Sequence, residues 1–311
     1  MSSSPVSPFV VSVGNIAFGG RGKTPTVAFI VKLLIEMGER PAVISRGYGR
    51  RRVEDGVVVV SDGRRMLADL DRAGDEPFML ARDLPGVPVL VCEQRAIAGA
   101  MARHIFDATA LVLDDGFQHR QMPRDVDVVL VTPEDLKGRR VPFGRLRESP
   151  SALERADAVI FTEHQSSEAN VADSSKFASE LFFAIRHPAP ISLPRGARVF
   201  LLAGIAGPER FTRAAVDAGY IVAGTWAPGD HHRYTVADVM RLAREVKSTA
   251  AVGVLTTSKD AVRLLPLRPL PFAIYEWPLQ VTIEPRDEFA VWLRRRRDQA
   301  RAHCTPQAAS A

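Results

Sequence analysis

The sequence predicts an α/β protein: a P-loop NTPase-like domain with a mostly parallel sheet, plus a second, smaller α/β domain. Three observations carry this. Short apolar runs alternate with helical patterns along the chain, as buried parallel strands covered by helices do. The stretch from Phe9 to Thr24, FVVSVGNIAFGGRGKT, reads as strand, glycine loop and helix start. A proline-rich stretch at 188–194 then breaks the alternation before a second αβ series begins.

In chain order, residues 9–13 form the first strand. Lys23-Thr24 opens the helical pattern TPTVAFIVKLLIEMG, which stops at Gly38. Residues 41–45 and 57–60 are the second and third strands. Gly74-Asp75-Glu76-Pro77 opens a helix to about 83, with proline in the first turn. A strand at 87–92, a helix at 94–105 and a strand at 111–113 follow, the last ending at Asp114-Asp115. Further strands are expected at 126–131, 158–161 and 180–186, with a polar loop at 165–175. The second series predicts strands at 199–203, 221–226, 252–256 and 272–277 and helices at 208–218, 236–247 and 259–265. A basic helix at 286–303 closes the chain. The expected division is 1–187, 188–285 as the other wall of a cleft, and 286–311 as basic helix and tail.

Composition is that of an ordinary globular protein, with 311 residues, 46% hydrophobic and 25% charged. No apolar run reaches the length of a membrane-spanning helix, and MSSSPVSP lacks the regions of a signal peptide. The two cysteines, Cys92 and Cys304, form no metal-spaced pair, so a reducing cytosolic compartment is expected. The net charge of +5 suggests an anionic partner. Basic residues cluster at Arg46–Arg52 and Arg294–Arg297, but no nucleic-acid-binding signature is present.

The residues with chemistry begin in the glycine loop. Glycines let backbone N–H groups turn toward a polyphosphate, and the helix start adds its positive end. Lys23 supplies a point charge to the β- and γ-phosphates, and the Thr24 hydroxyl can take Mg²⁺. The candidate phosphate-binding stretch is Ala17, Phe18, Gly19, Gly20, Arg21, Gly22, Lys23 and Thr24, with alanine at position 17 where the standard pattern has glycine. Asp114 and Asp115, at a strand end, are where such a site holds Mg²⁺. Asp75-Glu76 is either a favourable charge on a helix dipole or a general base for a substrate hydroxyl. Asp230-His231-His232 reads by itself as a polar loop before a helix capped by Thr235. His119 is either a structural histidine or a substrate contact. The arginine-rich segments around Tyr48 and Arg147 can each match phosphate, although singly they read as solvated surface.

Several segments, in order, resemble one family: GNIAFGGRGKTP, SRGYG, GDEP, LVLDDGFQHR, RDVDVVLV, GRLRESPSALERADAVI, AGIAGPERF, GDHHRYT and TSKDAVRL. The chain from Val10 to Arg263 is similar to the tetraacyldisaccharide 4′-kinases of lipid A biosynthesis. The resemblance implies transfer of the ATP γ-phosphate to the 4′-hydroxyl of a tetraacylated glucosamine disaccharide 1-phosphate, and two α/β domains joined by a short β linker. It implies that Asp75 is the base, assisted by His231, and that Asp114 and Asp115 handle Mg²⁺. It places Tyr48, Glu76, Gln118, His119 and Arg147 near nucleotide or substrate. The implied location is the cytoplasmic face of the inner membrane of a Gram-negative bacterium, as a peripheral protein with no obligate protein partner.

Members usually begin with an apolar, basic helix, whereas here the first strand begins at Phe9. Either membrane contact rests on other surfaces, such as the cleft and the basic terminal helix, or the start is truncated. The rival reading is a deviant P-loop switch ATPase that acts through protein partners. Its extra lysine would stand at position 18, which is Phe18.

Overall fold

The computed structural model describes residues 7–162 and 180–304. The polar loop expected at 165–175 lies outside the described residues. The chain divides into two compact units, Met1–Arg186 with Val281–Ala311, and His187–Gln280.

The first unit is built on a nine-stranded sheet. In chain order its elements are β1 (Phe9–Asn15), α1 (Lys23–Glu36), β2 (Pro41–Ser45), β3 (Val58–Asp62), α2 (Leu70–Ala73), α3 (Asp75–Asp83), β4 (Pro88–Val91), α4 (Arg95–Phe106), β5 (Ala110–Asp114), β6 (Val126–Val131) and α5 (Pro133–Leu136). A 3-10 turn at Pro150–Arg155, β7 (Ala158–Phe161) and β8 (Glu180–Pro188) follow. After the second unit, the chain returns through β13 (Leu279–Glu284) and the closing helix Arg286–Cys304. The strand order is β13-β8-β7-β6-β1-β5-β2-β4-β3. From β4 across to β8 neighbouring strands run parallel, while edge strand β3 runs antiparallel to β4.

Strand β1 sits at the centre and is buried throughout because both faces are covered. Phe9, Val11 and Val13 pack with Val27, Ile30, Val31 and Leu34 of α1. Val10, on the other face, packs with Ala98 and Ala102 of α4. Three elements, α2, α5 and β13, are not foreshadowed by the sequence pattern. The first two are four residues each, too short for helical periodicity to register.

The closing helix is part of the first unit, not the separate basic segment expected at 286–311. Phe289, Trp292 and Leu293 are buried in the same cluster as β1. Its arginines are largely engaged in ion pairs: Arg295 with Glu180, Arg296 with Asp157, and both Arg297 and Arg301 with buried Glu39. This disposition accounts for a basic helix as a packed edge element.

The second unit carries a four-stranded sheet. Its elements are β9 (Arg198–Leu202), α6 (Pro208–Asp217), β10 (Ile221–Trp226), α7 (Val236–Ser248), β11 (Val254–Thr256), α8 (Ser258–Leu264) and β12 (Ile274–Glu276). The order is β10-β9-β11-β12, all parallel. One face is covered by Val239 and Leu242 of α7 and Leu264 of α8, the other by Ala215 of α6.

Candidate active site

The phosphate loop leaves β1 at Asn15 and enters α1 at Lys23. Gly19 and Gly22 have φ of +107° and +85°, which side-chain-bearing residues rarely adopt. Gly22 is the N-cap of α1, no side chain caps the helix, and no acid lies in its first turn. The helix therefore presents its N–H groups and positive end to an anion. Lys23 lies back against the strand end, with Nζ 3.4 Å from both Asn15 Oδ1 and Asp115 Oδ1. Thr24, next along the helix, is half-buried.

Not every residue of the expected phosphate-binding stretch offers its side chain to a ligand. Ala17 is fully buried with Phe117 and Leu146 and bridges to Leu146. The Phe18 N–H is already donated to the Arg145 carbonyl at 2.8 Å. Arg21 turns inward, donating to the buried carboxylate of Asp135 at 2.6 Å, while its carbonyl accepts from Arg186 at 2.9 Å. These three shape the loop, which leaves Gly19, Gly20, Gly22, Lys23 and Thr24 of the expected stretch at its open turn and at the start of α1.

Strand β5 lies beside β1 in parallel, with Asp114 level with Val13. This register puts the acidic strand end next to the loop. Asp114 is buried, and burial, then the charges of Glu76 and Asp115, push its carboxyl up to about 7. One of its oxygens accepts from the Ser45 hydroxyl at 3.2 Å. The other, Oδ1, has no hydrogen-bond partner among the described residues. Asp115 has φ of +51°. Burial raises its carboxyl, but Lys23 and Arg147 outweigh this and hold it below the usual range. Arg147 donates to Asp115 Oδ2 at 2.8 Å.

A buried acid with a bare oxygen, beside a second carboxylate and a helix-start threonine, fits a hard divalent cation that completes its shell with phosphate oxygens and water. Among the described residues no group of three or more His, Cys, Asp or Glu could hold a metal unaided.

Three further segments reach this edge of the sheet. The loop 139–147 is stitched to the phosphate loop by its backbone, the Arg147 N–H donating to Ile16 at 2.7 Å. The loop after β5 returns Gln118, which donates to the Asn15 carbonyl at 2.7 Å and accepts from Arg147 at 3.5 Å. Arg124 clamps that loop through the Gly116 and His119 carbonyls. Burial and Arg95, Arg46 and Arg124 pull the His119 imidazole below its ordinary value, favouring the neutral ring. Finally, α3 begins at Asp75 after Gly74, whose φ is +84°. A Cβ at Gly74 would stand 3.1 Å from the Tyr48 carbonyl, and one at Gly47 would stand 2.4 Å from Val91 Cγ1. The SRGYG loop and the GDEP helix start thus pack backbone to backbone, with the Tyr48 side chain 77% exposed.

His231 belongs to the second unit, on a loop where its own φ is +60°. Its N–H donates to Asp230 Oδ1 at 2.9 Å, and Nδ1 lies 3.5 Å from Arg263 Nη2. Asp230 also meets Lys259 at 3.2 Å. Beneath them the buried Asp260 accepts from Tyr234, the Gly204 N–H and Thr257. Three motifs from separate parts of the sequence, AGIAG, DHHRY and TSKDAVR, are therefore one cluster.

Among the residues of these clusters, Asn15, Ser45, Arg95, Arg124, Tyr234, Lys259, Asp260 and Arg263 are not singled out individually by the sequence. Arg95, 3% exposed, donates to the Asp115 carbonyl at 2.9 Å and holds the acidic turn from below. It left one signal, an arginine at the first position of a helix, where the dipole disfavours a cation.

A central parallel strand, an open glycine loop at a helix start and an acidic strand end beside it define a P-loop protein built to bind a nucleoside polyphosphate. A family model described as "Tetraacyldisaccharide-1-P 4'-kinase", LpxK, matches residues 1–297, and the chain belongs to this family. It is 37% identical over 306 residues to the tetraacyldisaccharide 4′-kinase of Syntrophus aciditrophicus, covering 90% of this chain and 82% of that one. It is 41% identical over 279 residues to the corresponding enzyme of Anaeromyxobacter sp. strain Fw109-5, covering 83% and 74%. The fold matches the crystal structure of LpxK from Aquifex aeolicus in complex with ATP, with a TM-score of 0.75, 27% identity, and 95% and 90% of the two chains covered.

Proposed function

We propose that this chain transfers the γ-phosphate of ATP to the 4′-hydroxyl of a tetraacylated glucosamine disaccharide 1-phosphate, giving a 4′-phosphorylated lipid A precursor. Family membership supports the substrate class. The observation that carries the chemistry is the convergence of Lys23, Asp115, Arg147 and Gln118 at the mouth of the phosphate loop.

The phosphate-loop amides and the α1 terminus hold the polyphosphate, and Lys23 moves from Asp115 to its β- and γ-oxygens. Thr24, Asp114 and Asp115 are the residues that would hold Mg²⁺, which when bound neutralises charge on the phosphates. Arg147, released from Asp115 by the same competition, stabilises the transferring phosphoryl group. Asp75 accepts the proton of the 4′-hydroxyl, and the family resemblance proposes His231 as a second catalytic residue. Catalysis by positioning and preorganised charge is what phosphoryl transfer requires.

No helix among the described residues is long and apolar enough to cross a membrane. A peripheral location at the cytoplasmic face of the inner membrane is proposed from the substrate. The test is transfer of label from [γ-³²P]ATP to the acceptor in detergent micelles, wild type beside Asp75→Ala. Labelled lipid that vanishes in the variant supports both the kinase and its base; ATP hydrolysis with no labelled lipid would sink the reading.

A further inference from the structure

The loop from Lys137 to Arg147 carries more than Arg147. Its tip, Arg139-Arg140-Val141-Pro142-Phe143-Gly144-Arg145, is exposed throughout. Phe143 is 84% exposed and Val141 55%, and neither packs in a core cluster. Neighbouring Phe18 of the phosphate loop is 50% exposed. Lys137, Arg139, Arg140 and Arg145 flank Val141, Pro142 and Phe143 in the chain, and no acidic residue lies between Lys137 and Arg147.

The tip is a built turn. Leu146 N–H donates to the Arg139 carbonyl and Val141 N–H to the Leu146 carbonyl, both at 3.0 Å. Gly144 lies so close to the Arg139 carbonyl that a Cβ there would stand 2.1 Å from it. The turn is tied to the phosphate loop by Phe18 N–H to Arg145 at 2.8 Å and Arg147 N–H to Ile16 at 2.7 Å. The ordering cost of presenting an apolar tip is therefore met within the fold.

We propose that the 137–145 tip is an interfacial anchor that seats Val141, Pro142 and Phe143 in an anionic lipid surface, with Lys137, Arg139, Arg140 and Arg145 on the headgroup phosphates. Two features choose this occupant. An exposed aromatic and aliphatic tip flanked by cations, with no acid between Lys137 and Arg147, complements an anionic interface, where each cation adds to binding. The tip is also tied by its backbone to the phosphate loop, so anchoring it brings a lipid-borne hydroxyl to the side of the protein where phosphate is transferred. The terminal helix, the other basic candidate, has Phe289, Trp292 and Leu293 already in the core. The inference rests on the lipid-substrate reading above.

Full-length protein is floated with phosphatidylglycerol-containing vesicles and with pure phosphatidylcholine vesicles. Wild type is expected on the anionic vesicles only, and less at high salt. Phe143→Ser and the double variant Arg139→Gln/Arg140→Gln are each expected to lower the partition coefficient about tenfold or more. Val291→Ser with Arg294→Gln, on the exposed side of the terminal helix, should leave it unchanged. In a Phe143→Trp variant the added emission should shift to the blue on anionic vesicles and be quenched by brominated lipid. Wild-type protein that ignores anionic vesicles, tip variants that bind as wild type, or a Trp signal that does not shift would each overturn the anchor. Transfer to micellar acceptor, assayed separately, tells the two readings apart: vesicle binding without transfer keeps the anchor and removes the proposed substrate, and transfer without vesicle binding does the reverse.

Discussion

Arg147 Nη1 lies 2.8 Å from Asp115 Oδ2, while Lys23 Nζ approaches the other oxygen of the same carboxylate at 3.4 Å. Two cations thus share one acid at the mouth of the phosphate loop. In the proposed mechanism an incoming polyphosphate would compete for both with little rearrangement, because Lys23 heads a helix and Arg147 is fixed at its backbone to Ile16. Phosphoryl transfer is accelerated chiefly by preorganised charge of this kind.

Removal of the loop arginine should therefore act on the transition state. Arg147→Ala is expected to lower kcat by about 100- to 1,000-fold while changing KM for ATP far less. Arg147→Lys should recover only part of the loss, since a point charge does not reproduce the planar fork. Steady-state kinetics with both substrates varied checks this, and an equal rise in KM with kcat intact would assign Arg147 to ground-state binding.

Asp75→Asn should cut kcat by about 100-fold or more, the range expected for a general base, and leave binding of a fluorescent ATP analogue unaltered. His231→Ala should lower kcat to a smaller degree; an unchanged kcat would remove it from the proposed mechanism.

The apo protein should lose stability as pH rises through the weakly acidic range. Burial raises the carboxyls of Asp125 and Asp127, as it does that of Asp114. An acid whose folded pKa exceeds its unfolded value of about 4 binds its proton more tightly in the fold, so its stabilisation is complete at low pH and lost as pH rises through the folded value. Depressed acids such as Asp62 and Asp238 act only below the ordinary carboxylate range. Thermal unfolding in EDTA should show Tm falling as pH rises from about 4 toward the Asp114 value of about 7. The fall is partly offset by the lowered His119, whose neutral ring is favoured as pH rises, and its slope should be shallower in Asp127→Asn. A Tm that climbs steadily across that interval would contradict the assignment.

The closing helix should depend on Glu39. Its carboxylate accepts from Arg297 at 3.2 Å, Arg301 at 2.6 Å and Thr109 at 2.6 Å. Glu39→Ala leaves two arginines facing each other and should cost about 3 kcal/mol in urea unfolding. Glu39→Gln, which keeps an acceptor for Thr109, should cost less.

Much of the fold was legible because its signals are local. The buried run at Phe9 and the glycine loop before Lys23 declare strand, loop and helix without tertiary information. Asp114 and Asp115 were legible for the same reason, as an acid pair ending an apolar strand. The single turns α2 and α5 and the edge strand β13 left no periodic signal. The role of Arg21 was also hidden: a loop arginine looks like a phosphate ligand until the fold brings Asp135, 114 positions away, to its guanidinium. The same holds for the basic run Arg294–Arg297, whose acidic partners Glu39, Asp157 and Glu180 come from three distant segments. His231 needed the family resemblance, since an Asp-His-His tripeptide in a loop specifies nothing alone.

The most direct test of the proposed kinase activity is the product itself. Purified protein, ATP, Mg²⁺ and a tetraacyldisaccharide 1-phosphate are incubated in detergent, and the lipid is examined by mass spectrometry and phosphorus NMR. A 4′-kinase should yield a gain of one phosphate, as a new monoester coupled to the proton at C4′. Consumption of ATP with the lipid unchanged, or phosphate on any other position, would contradict that activity.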